Sequence, residues 1–415
     1  MLEKIVIEKL VHGGQGLGTL PNGQKIFVWN GLPGETVGVR VGRKKKDYAE
    51  GFAEEIITAS KDRITPVDEA YLSTSPWQIM TFDAENSYKK EILTEAFTRE
   101  GMEVPEFDFV SVGEPLHYRN KMEYSFWGDD DGLHLALYHR ASHGKRIVMG
   151  SSIARSEIDD AANKVVAVLN SVGIRGGQLK TVIVRTNKEG DVVVALFVKD
   201  KNFPKIEQLD GLCNGLAVYY SNPKSPASII TEELYSYGDN KLHDTLAGLE
   251  IAYDVNSFFQ VNLAIFEESL LAIKKAVKNQ KNIIDMYAGV GTIGLAVGAQ
   301  KLVEMDAGNI AMATYNAKTR EIEIVHASTE EARKLITKDA CVIFDPPRAG
   351  LHDKVIDRLL EVQPVKIVYL SCNSATQARD IAKLQGTYKI ASLTGYNFFP
   401  RTPHIESLAI LQKSV

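Results

Sequence analysis

Asp285-Met286-Tyr287-Ala288-Gly289-Val290-Gly291-Thr292-Ile293-Gly294 is the stretch that decides the fold. The apolar run before it reads as a buried strand ending near Asp285, and the three glycines fall between that strand and a helix. Glycines there let the backbone approach a ligand, and the helix that follows opens with unpaired N–H groups. About twenty residues on, Glu304 ends the next apolar run, where a carboxylate would meet ribose hydroxyls. NAD and S-adenosylmethionine both suit this layout; Asp285, directly ahead of the turn, favours S-adenosylmethionine.

Reading outward, strands are expected at 282–286, 301–305, 322–326, 340–344 and 366–370, with helices between them and last strands near Ile390 and Ile405. That alternation predicts a parallel sheet covered on both faces. Upstream, Asn256-Ser257-Phe258-Phe259-Gln260-Val261-Asn262 leads into a helix capped by Asn262, with Ile265, Leu270, Leu271, Ile273 and Val277 on its apolar positions. The α/β domain is therefore expected over 251–415.

The chain before it reads differently. Residues 1–58 alternate in short strands broken by His12-Gly13-Gly14-Gln15-Gly16-Leu17-Gly18 and Asn30-Gly31-Leu32-Pro33-Gly34-Glu35, the pattern of a small closed β-barrel. Arg43-Lys44-Lys45-Lys46 is either a phosphate grip or a solvated hairpin tip. Residues 59–250 hold a turn-rich linker (61–80), a polar helix (83–99), strands at 118–126 and 133–138, an amphipathic helix (158–172) and a hairpin of 181–185 with 192–198. That is a central α+β domain of mainly antiparallel pairs.

Of the 415 residues 44% are hydrophobic, and the formal net charge is −5, so any nucleic-acid surface must be local. No apolar run approaches the roughly 18 residues of a membrane span, and the N-terminus alternates like a strand. We expect a cytoplasmic protein without membrane contact. Cys213, Cys341 and Cys372 fit neither a zinc site nor a disulfide framework, and three thiols fall short of a four-thiolate cluster.

Three further stretches carry chemistry. Cys341-Val342-Ile343-Phe344-Asp345-Pro346-Pro347-Arg348-Ala349-Gly350 ends a strand in a loop stiffened by two prolines. Amino-group methyltransferases typically place an aromatic residue after Pro-Pro, so Arg348 argues against that chemistry. Ile367-Val368-Tyr369-Leu370-Ser371-Cys372-Asn373-Ser374 puts a lone cysteine at a strand's carboxyl end, as a nucleophile or as a small buried hydrophobe. Phe398-Phe399-Pro400-Arg401-Thr402-Pro403-His404-Ile405-Glu406 brings a carboxylate just before the last strand, as a base or as a surface acid.

The first 58 residues resemble the TRAM domain, a small RNA-binding barrel, through Gly13-Gly14-Gln15-Gly16, Phe27-Val28, Gly31-Leu32-Pro33-Gly34-Glu35 and Lys44-Lys45-Lys46. Nearly the whole chain resembles the uracil-C5 RNA methyltransferases, above all through Asp345-Pro346-Pro347-Arg348-Ala349-Gly350 followed by the Cys372 segment. The resemblance implies a Rossmann-like α/β S-adenosylmethionine methyltransferase domain, an OB-like N-terminal barrel and a central RNA-binding domain. It implies Cys372 as nucleophile, Glu406 as the base that removes the C5 proton, and Gln260, Tyr287, Glu304 and Asp345 as S-adenosyl-L-methionine ligands, with Thr292 at the same site. RNA is the implied partner, 23S rRNA ahead of tRNA because of the barrel, and we expect a monomer. A non-catalytic RNA-binding module is the reading from another class; Cys372 and Glu406 together count against it.

Departures from the family matter too. Asp68, Thr74 or Ser75, and Ser152 stand where many members carry cluster-binding cysteines, so no iron–sulfur cluster is expected. Asn397 replaces an acid, Arg401 a glutamine and Ala288 a cysteine. Phe258, Tyr396 and Phe398 could stack on an extruded base or fill the core.

Overall fold

A computed structural model of the chain describes residues 2–318 and 320–414. It divides into two compact units, Met1–Pro115 with Arg333–Val415, and Leu116–Ala332.

The first unit begins with a six-stranded sheet: Glu3–Val6, Lys9–Leu10, Gly16–Thr19, Lys25–Trp29, Thr36–Lys44 and Tyr48–Thr58. Three register shifts bend the pair of long strands. The sheet curls until Ile5 lies against Gly18, where a Cβ would sit 2.4 Å from Ile5 Cγ2, so the curl requires glycine. Ile5, Ile7, Ile26, Val28, Val37 and Val39 fill its interior. The basic run Arg43 to Lys46 lies exposed at the hairpin tip.

The turn after the fourth strand ends in Glu35, whose carboxylate is fully buried. It accepts from Leu32 N (2.8 Å), Ser60 N (3.0 Å) and Arg63 Nε and Nη2 (2.6 and 2.7 Å). Burial pushes this carboxyl up, but the Arg63 guanidinium and the two N–H donors outweigh it, and its pKa lies below the ordinary value. The stretch after it is not the loose linker expected. Trp77 is buried and donates from Nε1 to Gly14 O (3.0 Å) and from its backbone N–H to Arg401 O (3.0 Å).

The same unit carries the helix Phe82–Arg99, capped by Thr81, and the second half of the α/β region. Cys341–Phe344 and Lys366–Ser371 run parallel; Glu406–Lys413 lies antiparallel to the latter, Tyr388–Tyr396 antiparallel to Glu406–Lys413, and Phe109–Val110 closes the edge. Asp353–Val362 and Ser374–Leu384 are its helices.

The second unit holds a seven-stranded sheet that includes Lys121–Asp129, Gly132–Tyr138, Leu179–Thr186 and Val192–Val198, packed on the helix Ser156–Ser171. Its pairs are antiparallel except for Val192–Val198 with Gly215–Tyr220. After the hairpin Lys241–Leu246 and Leu249–Asp254 come the helix Leu263–Val277 and three parallel strands, Ile283–Asp285, Lys301–Glu304 and Glu323–His326. The helices Thr292–Val297 and Ala307–Ala317 connect them. Leu271, placed on the apolar face by its spacing, is instead exposed. Among the described residues no helix is long and apolar enough to cross a membrane.

Arg63→Met strips Glu35 of its guanidinium while leaving the carboxylate buried. We expect a loss of roughly 3 kcal/mol, seen as a lower thermal midpoint, whereas Arg40→Met, at an exposed pair with Glu54, moves it little.

Candidate active site

Strand pairing places Cys372 and Glu406. Lys366–Ser371 and Glu406–Lys413 are antiparallel with Ser371 facing Ser407, so one further step sets Cys372 across from Glu406. Gln377 holds this end of the ladder: its Nε2 donates to Tyr369 O (2.8 Å) and Ser407 O (3.1 Å), and Ser407 Oγ donates to its Oε1 (2.6 Å).

Glu406 is buried, and among the described residues its Oε1 has no hydrogen-bond partner. Burial, then the neighbouring Asp345 carboxylate, pushes its pKa well above the ordinary value. The half-buried Cys372 thiol is pushed up to about 12 by burial, then by Glu406 and Asp345, against a smaller opposing effect of Arg348. Cys341 rises to about 12 and Cys213 to about 11 through burial alone, so pKa does not single out the nucleophile. What distinguishes Cys372 is its pair of carboxylate neighbours.

The loop after Asp345 is clamped to the helix that follows Cys372. Asn373 Nδ2 (2.9 Å) and Thr376 Oγ1 (3.2 Å) donate to Arg348 O, and Leu351 N donates to Asp380 Oδ2 (2.7 Å). Gly350 has φ +79°, and a Cβ there would lie 2.4 Å from Asp380 Oδ2. The buried Asp380 also receives Tyr369 Oη (2.8 Å).

The segment leading to Glu406 rests on a buried charge cluster. Lys89 Nζ, fully enclosed, donates to Glu85 Oε1 (2.8 Å), Asn397 Oδ1 (2.6 Å) and Phe399 O (3.0 Å). Glu85 in turn receives Asn397 Nδ2 (2.9 Å) and Arg401 N (3.0 Å). Asn397 and Arg401, the two departures noted in the sequence, are thus members of one network. Arg401 takes φ +63° and donates to Met80 O (2.8 Å).

Gln260, Tyr287, Thr292 and Glu304 fall in the other unit. There Glu304 Oε2 accepts from Gly289 N, and its Oε1 accepts from Met305 N and Asp306 N, each at 2.8 Å. The carboxylate is thereby fixed against the glycine turn. Asp285 is buried and accepts from Gly294 N (2.9 Å), and a Cβ on Gly294 would lie 2.2 Å from Leu302 Cδ2. Asp285 therefore braces the turn from beneath. Thr292 is buried at the start of its helix.

The segment carrying Gln260 reaches the same turn, since Phe258 O would lie 3.6 Å from a Cβ on Gly289. Arg185, which the sequence reading passed over, organises that segment. It is fully buried and donates to Asp254 O, Ser257 O and Phe259 O (3.1, 2.8 and 2.6 Å), with its guanidinium over the Tyr253 ring. The one signal was an arginine inside the apolar run Thr181-Val182-Ile183-Val184-Arg185. Of the three aromatic candidates, Phe258 is exposed, whereas Tyr396 and Phe398 are buried against each other.

At the positions of the missing cysteines, Gln78 Nε2 donates to Asp68 Oδ2 (3.1 Å) and Ser75 Oγ (2.7 Å), and Thr74 Oγ1 lies 3.1 Å from Ser75 Oγ. Ser152 lies in the other unit. Among the described residues no group of three or more His, Cys, Asp or Glu could hold a metal ion.

The profile of the tRNA (uracil-5-)-methyltransferase family matches residues 81–414. The chain belongs to that family. A TRAM domain profile matches residues 3–53. An uncharacterized RNA methyltransferase of Enterococcus faecalis is 29% identical over 99% of this chain and 97% of its own length. One of Thermotoga maritima is 27% identical over 100% and 99%. The crystal structure of Pyrococcus abyssi tRNA (uracil-54, C5)-methyltransferase in complex with S-adenosyl-L-homocysteine is similar with a TM-score of 0.79 and 25% identity, covering 98% of this chain and 100% of that one. The fold is thus the Rossmann-like methyltransferase α/β fold with an N-terminal TRAM barrel, and the chain is an RNA (uracil-5-)-methyltransferase by family.

Two outcomes test this site's construction. Lys89→Met leaves Glu85 buried without its ammonium, and a loss of about 3 kcal/mol is expected in urea unfolding. Burial raises the Asp285 carboxyl to about 7, so the folded state holds this proton more tightly than the unfolded one. Its contribution is full below about pH 4 and lost as pH rises through 7. Asp285→Asn is expected to flatten that decline in urea midpoint.

Proposed function

We propose that this protein methylates C5 of a uridine in RNA through a covalent adduct on Cys372. The observation that carries the reading is the ladder register that sets Cys372 across from a buried carboxylate, Glu406, which has an unpartnered oxygen. Uracil C5 is a weak nucleophile. Cys372 Sγ, its proton passed to water, adds to C6, and the C5=C6 electron pair moves onto C5 and O4. S-adenosylmethionine, when bound, supplies an electrophilic methyl group for C5. Glu406 then takes the C5 proton, the C–H pair re-forms C5=C6, and the Sγ–C6 bond breaks to return Cys372. The base must leave any stack to reach the thiol.

We assign Gln260, Tyr287, Thr292, Glu304 and Asp345 to S-adenosylmethionine. The glycine turn and the fixed Glu304 carboxylate suit an adenosine ribose, with the Glu304 oxygens keeping lone pairs for its hydroxyls.

The target is read in two ways. The TRAM barrel favours 23S rRNA. A tRNA T-loop uridine is favoured by the full-length likeness to a tRNA (uracil-54, C5)-methyltransferase, since that tRNA enzyme has a counterpart for the barrel as well.

The test is transfer of labelled methyl groups from S-adenosylmethionine to unmodified 23S rRNA and tRNA transcripts. Cys372→Ala should transfer none, and an undiminished rate would overturn the covalent route. Glu406→Gln should trap a protein–RNA adduct that denaturing gels retain. Both reacting groups must lose protons from raised pKa values, so wild-type kcat/KM should climb as pH rises through neutrality.

A further inference from the structure

The central sheet has two faces. Tyr124 points to the helix Ser156–Ser171, its hydroxyl hydrogen-bonded to Asp159. Ser125 therefore points the other way. In register with it stand Ala136 on one side and Thr181 on the other, three small residues across three strands. Together they floor a cleft of about 390 Å³, within the roughly 300–1,000 Å³ usual for ligand sites.

Three lysines, Lys145, Lys180 and Lys199, and one acid, Glu123, line it, with the half-exposed Tyr138 as a wall. Lys145 is paired in register with Tyr138; its ammonium donates to Phe126 O (2.9 Å) and lies 4.9 Å from the Tyr138 ring, leaving N–H groups for an anion. Lys180 enters where the ladder shifts between Leu179 and Thr181, and it donates to Ser221 Oγ, Asn222 O and Ala227 O (3.0, 3.2 and 2.6 Å). It thereby holds the Ser/Pro-rich loop that closes the far side. Lys199, exposed, has no ion pair among the described residues. Burial, then Lys145 and Lys180, lowers its pKa, so the lysines repel one another across the cleft.

The Ser125 hydroxyl donates to Ala136 O (3.1 Å) and that of Thr181 pairs with Ser228 Oγ, so the floor is a small, polar, already bonded surface, and the three ammonium charges beside it make the cleft suit a phosphodiester. On the reading of this chain as an RNA methyltransferase, we propose that the cleft holds a backbone segment of the substrate RNA, with a phosphate between Lys145 and Lys199 and the ribose over Ser125 and Thr181. It would grip the RNA without reading sequence.

The test measures anisotropy of a fluorescein-labelled unmodified tRNA transcript, and separately of a labelled 23S rRNA transcript, with the full chain across about 50–200 mM salt. Lys145→Gln with Lys199→Gln should weaken at least one transcript by roughly tenfold at the low end and make its log–log salt slope shallower by about 1–2. Lys199→Arg, which keeps the charge, should retain wild-type binding. Unchanged affinity and slope in the double variant for both transcripts would overturn the proposal. So would calorimetric binding of uridine monophosphate that the double variant abolishes while its RNA affinity stays at the wild-type value, which marks a free-nucleotide site. Calorimetric binding of S-adenosylhomocysteine checks that the variants are folded. If the variants lose RNA affinity while the wild type transfers no methyl group, the cleft stands and the methyltransferase reading falls. Methyl transfer with RNA affinity unaffected by the variants gives the converse.

Discussion

The antiparallel pairing of Lys366–Ser371 with Glu406–Lys413 is the constraint on which the chemistry depends. Side chains alternate along a strand, so a slip of one residue would turn Glu406 to the opposite face from Cys372. The protein guards this register from several directions. Gln377 ties the ladder's end to the helix behind it, Asp380 anchors the Asp345 loop to the same helix, and the Lys89 cluster fixes the segment before Glu406. Each is a buried polar group with its partners supplied, which makes it expensive to rearrange.

The electrostatics follow from that enclosure. A thiol beside two carboxylates, in a place poor in water, is held neutral, and Glu406 is held towards its neutral form as well. The thiol is thus not primed as an ion in the free protein. On the proposed covalent route, reactivity would arrive with the substrate, whose carbonyl oxygens can accept the charge that develops when sulfur adds to C6. Such a site protects a cysteine from chance oxidation, since the thiolate is the reactive species.

Much of this was legible in the sequence, for identifiable reasons. The glycine turn at 289–294 announced itself because backbone geometry restricts those positions, and the structure gives the reasons: positive φ at Gly289 and Gly291, and Leu302 against Gly294. Cys372 and Glu406 were visible as end-of-strand residues. What stayed hidden was mostly support. Arg185, Gln377 and Lys89 act through contacts that lie 72, 30 and 308 residues away in sequence, and no local pattern encodes such distances. Asp285 was visible only by its place ahead of the turn; what it does there, accepting from Gly294 N and holding the turn from below, depends on contacts the sequence does not spell out. The 61–80 stretch looked like a linker because turn residues dominate it; Trp77, with Ile79 and Met80 buried beside it, turns it into packed structure.

Gly14 of the barrel lies directly against Pro403, where a Cβ would come within 2.3 Å, and Trp77 joins both neighbours, through Gly14 O and Arg401 O. The barrel's glycine turn is thus part of the floor beneath the segment that delivers Glu406. A domain that is often viewed as an interchangeable RNA handle is, in this chain, keyed to its host by shape. Another barrel grafted in its place would have to offer the same glycine turn to that proline, so the graft would carry a shape requirement at this one point.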